Sequence, residues 1–137
     1  MKQSLKQWTT TALIFAVAAT FVALAAPPRA DTISGTIELD PSVTSKVTLP
    51  STVFVIARGE GKKGHPLLAK RLDVQRFPVS FSLGPQDAML GGALPPRVAL
   101  EARVDTDGDA ATREPGAPSA SIGAVALGAT GVRLRLR

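Results

Sequence analysis

The chain has no cysteine and no tyrosine, one tryptophan and one histidine. Without a thiol it cannot form a disulfide, attach haem through sulfur, carry an acylated cysteine or build a blue-copper site, which needs a cysteine beside two histidines. Of its aromatics, Trp8, Phe15 and Phe21 fall in the first 25 residues, and only Phe54, Phe77 and Phe81 remain beyond them. Aromatic platforms for bases or sugars are therefore not expected. Charge of one sign is also scarce. The formal net charge is +5, and once Lys2 and Lys6 of the leader are set aside it falls to +3 over the rest of the sequence, too little to indicate nucleic acid. Length excludes a two-domain enzyme or a helical repeat array, since 137 residues suit one domain of ordinary size.

One long apolar run is present, at the front. Lys2 and Lys6 lead into Ala12 to Ala26, and Ala23-Leu24-Ala25 offers the small residues a signal peptidase prefers. Two readings stand: residues 1–25 are a signal peptide, or residues 8–26, a stretch of 19, form an uncleaved anchor in the inner membrane. Both place the rest of the chain outside the cytoplasm, in the periplasm or cell envelope. Cleavage after Ala25 leaves 112 residues. Residues 26–31, with Pro27 and Pro28, read as a linker, and 32–137 as the folded domain.

That domain reads as strands. Thr32 to Leu39 alternates with period two, Ile33, Gly35, Ile37 and Leu39 on one face. Thr52 to Ala57 is a continuous β-branched and aromatic run, as a central strand covered on both faces requires. Leu67 to Val74 alternates imperfectly and suits an edge, where charge discourages unwanted pairing. Val79 to Leu83 and Arg97 to Val104 alternate cleanly, the latter aiming Val98, Leu100, Ala102 and Val104 inward. Ser121 to Leu127 is a weaker strand of small residues, and Val132 to Leu136 turns Val132, Leu134 and Leu136 inward with Arg133, Arg135 and Arg137 outward. The sum is about seven short strands and no helix beyond the leader, predicting an all-β, antiparallel, immunoglobulin-like β-sandwich. The buried tryptophan, disulfide and tyrosine corner usual in such domains are absent, so the pattern leaves the topology open.

Candidate sites are few. His65 sits in Gly61-Lys62-Lys63-Gly64-His65-Pro66, a flexible loop with no preset serine or carboxylate partner, and reads as a solvated histidine. No nucleophile elbow, zinc motif or phosphate loop occurs, so the expectation is a protein that is not an enzyme and has no cofactor. Asp105, Asp107 and Asp109 are two residues apart and could converge on calcium. Aligned as an EF-hand loop starting at Asp105, however, the sequence puts Ala110 at the glycine position and Gly116 at the bidentate glutamate position, with Glu114 two residues early. A strand-connecting turn favours the same residues. The basic residues Arg58, Lys62, Lys63, Lys70, Arg71 and Arg76 are opposed locally only by Glu60 and Asp73. They suit a solubilised loop and edge strand, or a patch for an acidic peptide or anionic lipid.

The stretches ISGTIELDPSVTSKV, TVFVIARG, PLLAKRLDVQRFPVSFSLGPQDAM and LGATGVRLRL, in order from Ile33 to Leu136, resemble the C-terminal periplasmic domain of the c-type cytochrome biogenesis protein CcmI, also called CycH. The resemblance implies an immunoglobulin-like sandwich and a module that handles apocytochrome c for haem ligation. Three departures accompany it. The sequence has neither the length nor the repeat pattern of the family's tetratricopeptide region. A segment often rich in methionine keeps only Met89, and the turn after Arg103 is acidic where the family's is neutral or basic. By resemblance, the expected role is a non-enzymatic accessory domain whose partner is apocytochrome c or a haem-ligation component, bound through strand edges and the basic residues. The other reading of the residues is a free-standing small-ligand or calcium-binding sandwich using the loop from Asp105 to Asp109.

Overall fold

A computed structural model describes residues 31–61, 64–109 and 112–137. The stretch expected to be a signal peptide or an anchor, most of the expected linker, Lys62 and Lys63 lie outside the described residues. Among the described residues, no helix is long and apolar enough to cross a membrane.

Seven strands form two sheets: β1 (Ile33–Leu39), β2 (Ser51–Arg58), β3 (Leu68–Val74), β4 (Val79–Leu83), β5 (Arg97–Asp105), β6 (Ser119–Ala126) and β7 (Val132–Leu136). One sheet has the order β4-β1-β7 and the other β3-β2-β5-β6. Each strand predicted from alternation is present. The run Val53 to Ala57 forms the middle of β2, which pairs antiparallel with β3 and with β5; Val53, Val55 and Ala57 enter the core and Phe54 and Ile56 are buried on the other face, which accounts for its lack of polar residues.

The core lies between the sheets. Ile33 and Ile37 of β1, Phe81 and Leu83 of β4, and Leu134 and Leu136 of β7 meet Val53, Val55 and Ala57 of β2, Val98, Leu100 and Ala102 of β5, Leu68 and Val74 of β3, and Val125 of β6. Each fully buried aliphatic side chain of this kind contributes about 1.5–3 kcal/mol. With no disulfide available, this interdigitated layer is the main source of stability.

Four features differ from the sequence expectation. The β1–β7 pairing is parallel, Gly35 opposite Val132 through Leu39 opposite Leu136, while the other four pairings are antiparallel. Period-two alternation is the same for both directions and cannot distinguish them. The approach is close at Gly35, where a β-carbon would stand 1.9 Å from the Val132 carbonyl oxygen, so only glycine fits. Second, Pro41–Lys46 forms a short 3-10 helix. Asp40 caps it, its carboxylate accepting from the Ser42 N–H at 3.0 Å, with Pro41 at the first position where a missing N–H costs nothing. A second, three-residue 3-10 turn covers Pro85–Asp87. Third, β6 begins at Ser119, two residues earlier than its apolar pattern suggests, and a register shift sets Gly123 and Ala124 opposite Ala99 alone, a bulge in β6 itself.

The fourth is the outer face of the larger sheet. There Phe54 and Ile56 are buried, as the cover expected on both faces of β2 requires, but so are Ala99 and Arg103 of β5, which alternation turns away from the core. Phe54 lies in register between Arg71 of β3 and Arg103 of β5. The β5–β6 connection returns over this face: Arg113 reaches Glu101, Nη2 to Oε1 at 3.2 Å. The pair is close enough for charge attraction but is not aligned as a hydrogen bond, leaving Glu101 Oε1 without a hydrogen-bond partner.

Candidate functional site

Of the basic residues singled out by sequence, the described ones, Arg58, Lys70, Arg71 and Arg76, are distributed over different surfaces. Alternation along β3 sends Lys70 to the inner side and Arg71 to the outer one. Lys70 lies at the sandwich edge, where its ammonium donates to the Ser82 carbonyl of β4 at 2.9 Å and stands 3.9 Å from Asp87 Oδ1. Asp87 is itself fixed, accepting from the Gly84 N–H at 3.0 Å. Lys70 therefore laces the free edges of β3 and β4 across the gap between sheets, a role that inward edge charge is suited to play. Arg71 donates to Thr52 Oγ1 at 3.4 Å and lies 3.4 Å from Asp73 on the exposed outer face. Arg58 donates to the Gly64 carbonyl at 2.9 Å and ties down its own loop, while Arg76 is exposed in the β3–β4 turn.

The acidic loop is folded onto itself. Asp105 Oδ2 accepts from the Gly108 N–H at 2.7 Å, and Asp107 accepts from the Asp109 N–H at 2.9 Å and from the Thr112 hydroxyl at 2.5 Å. Thr106 donates its hydroxyl to Glu114. The Thr112 hydroxyl first, then the Asp109 N–H, hold the Asp107 carboxyl below the usual carboxylate range. These are turn-forming bonds, and among the described residues no three His, Cys, Asp or Glu side chains gather as a metal-holding group. His65 is exposed in its loop.

A different feature was not foreseen. Opposite the β3–β4 seam, the other two sheet edges, β6 and β7, face each other. They exchange backbone hydrogen bonds at one position, Ser119 and Arg137, where each N–H donates to the other's carbonyl at 3.1 Å. Beyond that clasp a groove of about 480 Å3 lies between them, lined by Ser121 and Ile122 on one side and Arg133, Leu134 and Arg135 on the other. Arg135 lies 3.6 Å from Glu38 of β1, and its charge, with that of Arg137, adds to the Ser42 hydrogen bonds that lower the Asp40 pKa. The alternation Arg-Leu-Arg-Leu-Arg is plain in the sequence. What it borders depends on which strand becomes a sheet edge, and that is set by long-range pairing.

A small two-sheet sandwich of seven strands with a packed apolar centre and polar grooves at its margins defines an immunoglobulin-like domain. Residues 33–136 match the family model of the cytochrome c-type biogenesis protein H Ig-like domain, and the chain belongs to that family. The family links it to c-type cytochrome biogenesis. No curated protein and no solved structure matches the chain at a significant level.

Proposed function

We propose that this protein is a non-enzymatic accessory domain of c-type cytochrome maturation, working in the periplasm or cell envelope by binding a polypeptide partner, apocytochrome c or a component of the haem-ligation machinery. The observation that carries this reading is the family match, which runs from the first residue of β1 to the last of β7 and so includes every strand. The form of the domain agrees with it. A sandwich with free strand edges can pair with an extended chain through its backbone while surface charge sets orientation. The exposed Arg71 and the loop-tethered Arg58 are basic residues available at the β3 side.

The role is tested by deleting the gene and staining covalent haem in membrane and periplasmic fractions. Reduced holocytochrome, restored by the wild-type gene, is expected. Wild-type haem staining, together with failure of the purified protein to retain apocytochrome peptides, would overturn the proposal. Affinity capture from membranes followed by mass spectrometry identifies the partner.

A further inference from the structure

We infer that the groove between β6 and β7 is a docking site for an extended acidic segment of a partner polypeptide, which adds as a strand along the free edge of β7. The inference rests on the protein-binding reading above and specifies where and what the protein binds.

Backbone geometry comes first. The Leu136 carbonyl accepts from the Asp40 N–H at 2.9 Å, on the β1 side, and Arg137 uses both of its peptide groups on the opposite side with Ser119. Peptide groups of successive strand residues alternate in direction, so those of Arg133 and Arg135 point away from β1, into the groove. The β6–β7 bonds stop at Ser119 and Arg137, which leaves this stretch of the β7 edge without a strand partner among the described residues. Unpaired edges of this kind recruit other chains unless they are blunted. The β3–β4 margin is blunted, by the Lys70 bond to Ser82 and by an isolated bridge between Leu68 and Ala88. At the groove, β6 offers mostly small residues, Ala120, Ser121, Gly123 and Ala124, which obstruct little.

Charge then selects the occupant. Arg133, Arg135 and Arg137 share one face of β7 and are exposed. At about 3.3 Å per residue their spacing is about 7 Å, which matches carboxylates on every second residue of a strand lying alongside. Glu38 answers Arg135, whereas no ion pair to Arg133 is formed among the described residues. A basic segment would be repelled by this row, a neutral one would gain nothing from it, and an acidic one would be oriented by it.

The probe is a fluorescein-labelled heptapeptide, Ala-Glu-Val-Glu-Val-Glu-Ala, titrated with the purified protein and followed by anisotropy. Saturable binding is expected, weakened at least tenfold in the double variant Arg133→Gln, Arg135→Gln and unchanged in the double variant Arg58→Gln, Arg71→Gln. N-methylation of alternate peptide nitrogens, which keeps the charge and removes strand pairing, is also expected to weaken binding at least tenfold. Circular dichroism and melting of each variant confirm that these exposed changes leave the fold intact, and the single variant Arg133→Gln serves if the double one does not fold. The inference is overturned by no binding at millimolar peptide, by equal binding of the N-methylated peptide, or by loss in the Arg58, Arg71 variant instead. Concentration-dependent self-association by light scattering, abolished by the Arg133 and Arg135 changes, would also overturn it by assigning the edge to a second copy. A deletion strain that loses holocytochrome while the Arg133, Arg135 variant restores it refutes this site and leaves the maturation role standing. Peptide binding with normal haem in the deletion strain does the reverse.

Discussion

The sandwich has two seams where the edges of its sheets meet, and they are closed by different means. At the β3–β4 seam a side chain does the work, Lys70 reaching the Ser82 carbonyl with Asp87 beside it. At the β6–β7 seam the backbone closes one end through Ser119 and Arg137, and the rest stays parted. A side-chain lace protects an edge at modest energetic gain, because an exposed ammonium exchanges water for one carbonyl. A backbone clasp at a single position holds the margin without covering it. The first seam is therefore a closed boundary, and the second is a boundary with accessible peptide groups.

The comparison is broken most severely at Gly35, which lets β7 approach β1 and so positions the open seam. Gly35→Ala forces a methyl group against the Val132 carbonyl and is expected to lower stability by about 3 kcal/mol, the upper end for overpacking. Urea unfolding monitored by circular dichroism measures it, and an unchanged midpoint would disprove the tight approach. The seams themselves are compared by Lys70→Met, which keeps the stem and removes the ammonium. A loss of about 1 kcal/mol is expected, with faster amide exchange on β3 and β4 and none of that change on β6. In the unmodified protein, amide exchange should be slowest along Val53 to Ala57, central and buried, and at least tenfold faster at the β6 and β7 edge groups.

The smallest effect concerns Asp40, at the end of β1. Its pKa is lowered by hydrogen bonds from Ser42, then by Arg135 and Arg137. A carboxyl depressed in the folded state contributes stability that is present above its unfolded pKa and lost as pH falls through the folded value. Asp40→Asn should therefore lower the melting temperature slightly at neutral pH, and the gap between the two proteins should shrink on acidification. A gap that widens in acid would contradict the sign. Arg71→Ala is expected to fall within about 0.5 kcal/mol of the parent, as an exposed ion pair should.

The strands were legible because each apolar side chain had one destination. Ile33, Ile37, Phe81, Leu83, Leu134 and Leu136 alternate with polar neighbours, and all face the same core. Legibility failed where two unrelated segments share a surface. Ala99 and Arg103 look outward-facing in the alternation of β5, yet they are buried on the far face of the sheet, where the Asp105 to Pro118 connection brings Arg113 back to Glu101. The turn into a 3-10 helix after β1 was not legible, because it rests on the Val43 N–H donating to the Asp40 carbonyl at 3.1 Å. Among candidate sites, the lysine and arginine cluster in sequence around β3 reads as one patch. The pleat sends Lys70 and Arg71 to opposite faces, as period two requires of adjacent residues. The arginines of β7 stand two apart and therefore stay together. The groove they border arises only once β7 has paired with β1 and left its other side without a neighbour.

The parallel pairing of β1 with β7 has a mechanical consequence. Because the two strands run in the same direction, the path of the backbone enters β1 at one pole of the sandwich and leaves β7 at the opposite pole. Tension applied between residues 33 and 136 therefore slides the strands past each other and strains all of their hydrogen bonds at once, where an antiparallel pair would unzip bond by bond. A polypeptide tugged from both ends resists best in that shear geometry, and an atomic force measurement on the domain should find its rupture force concentrated in a single event at this strand pair.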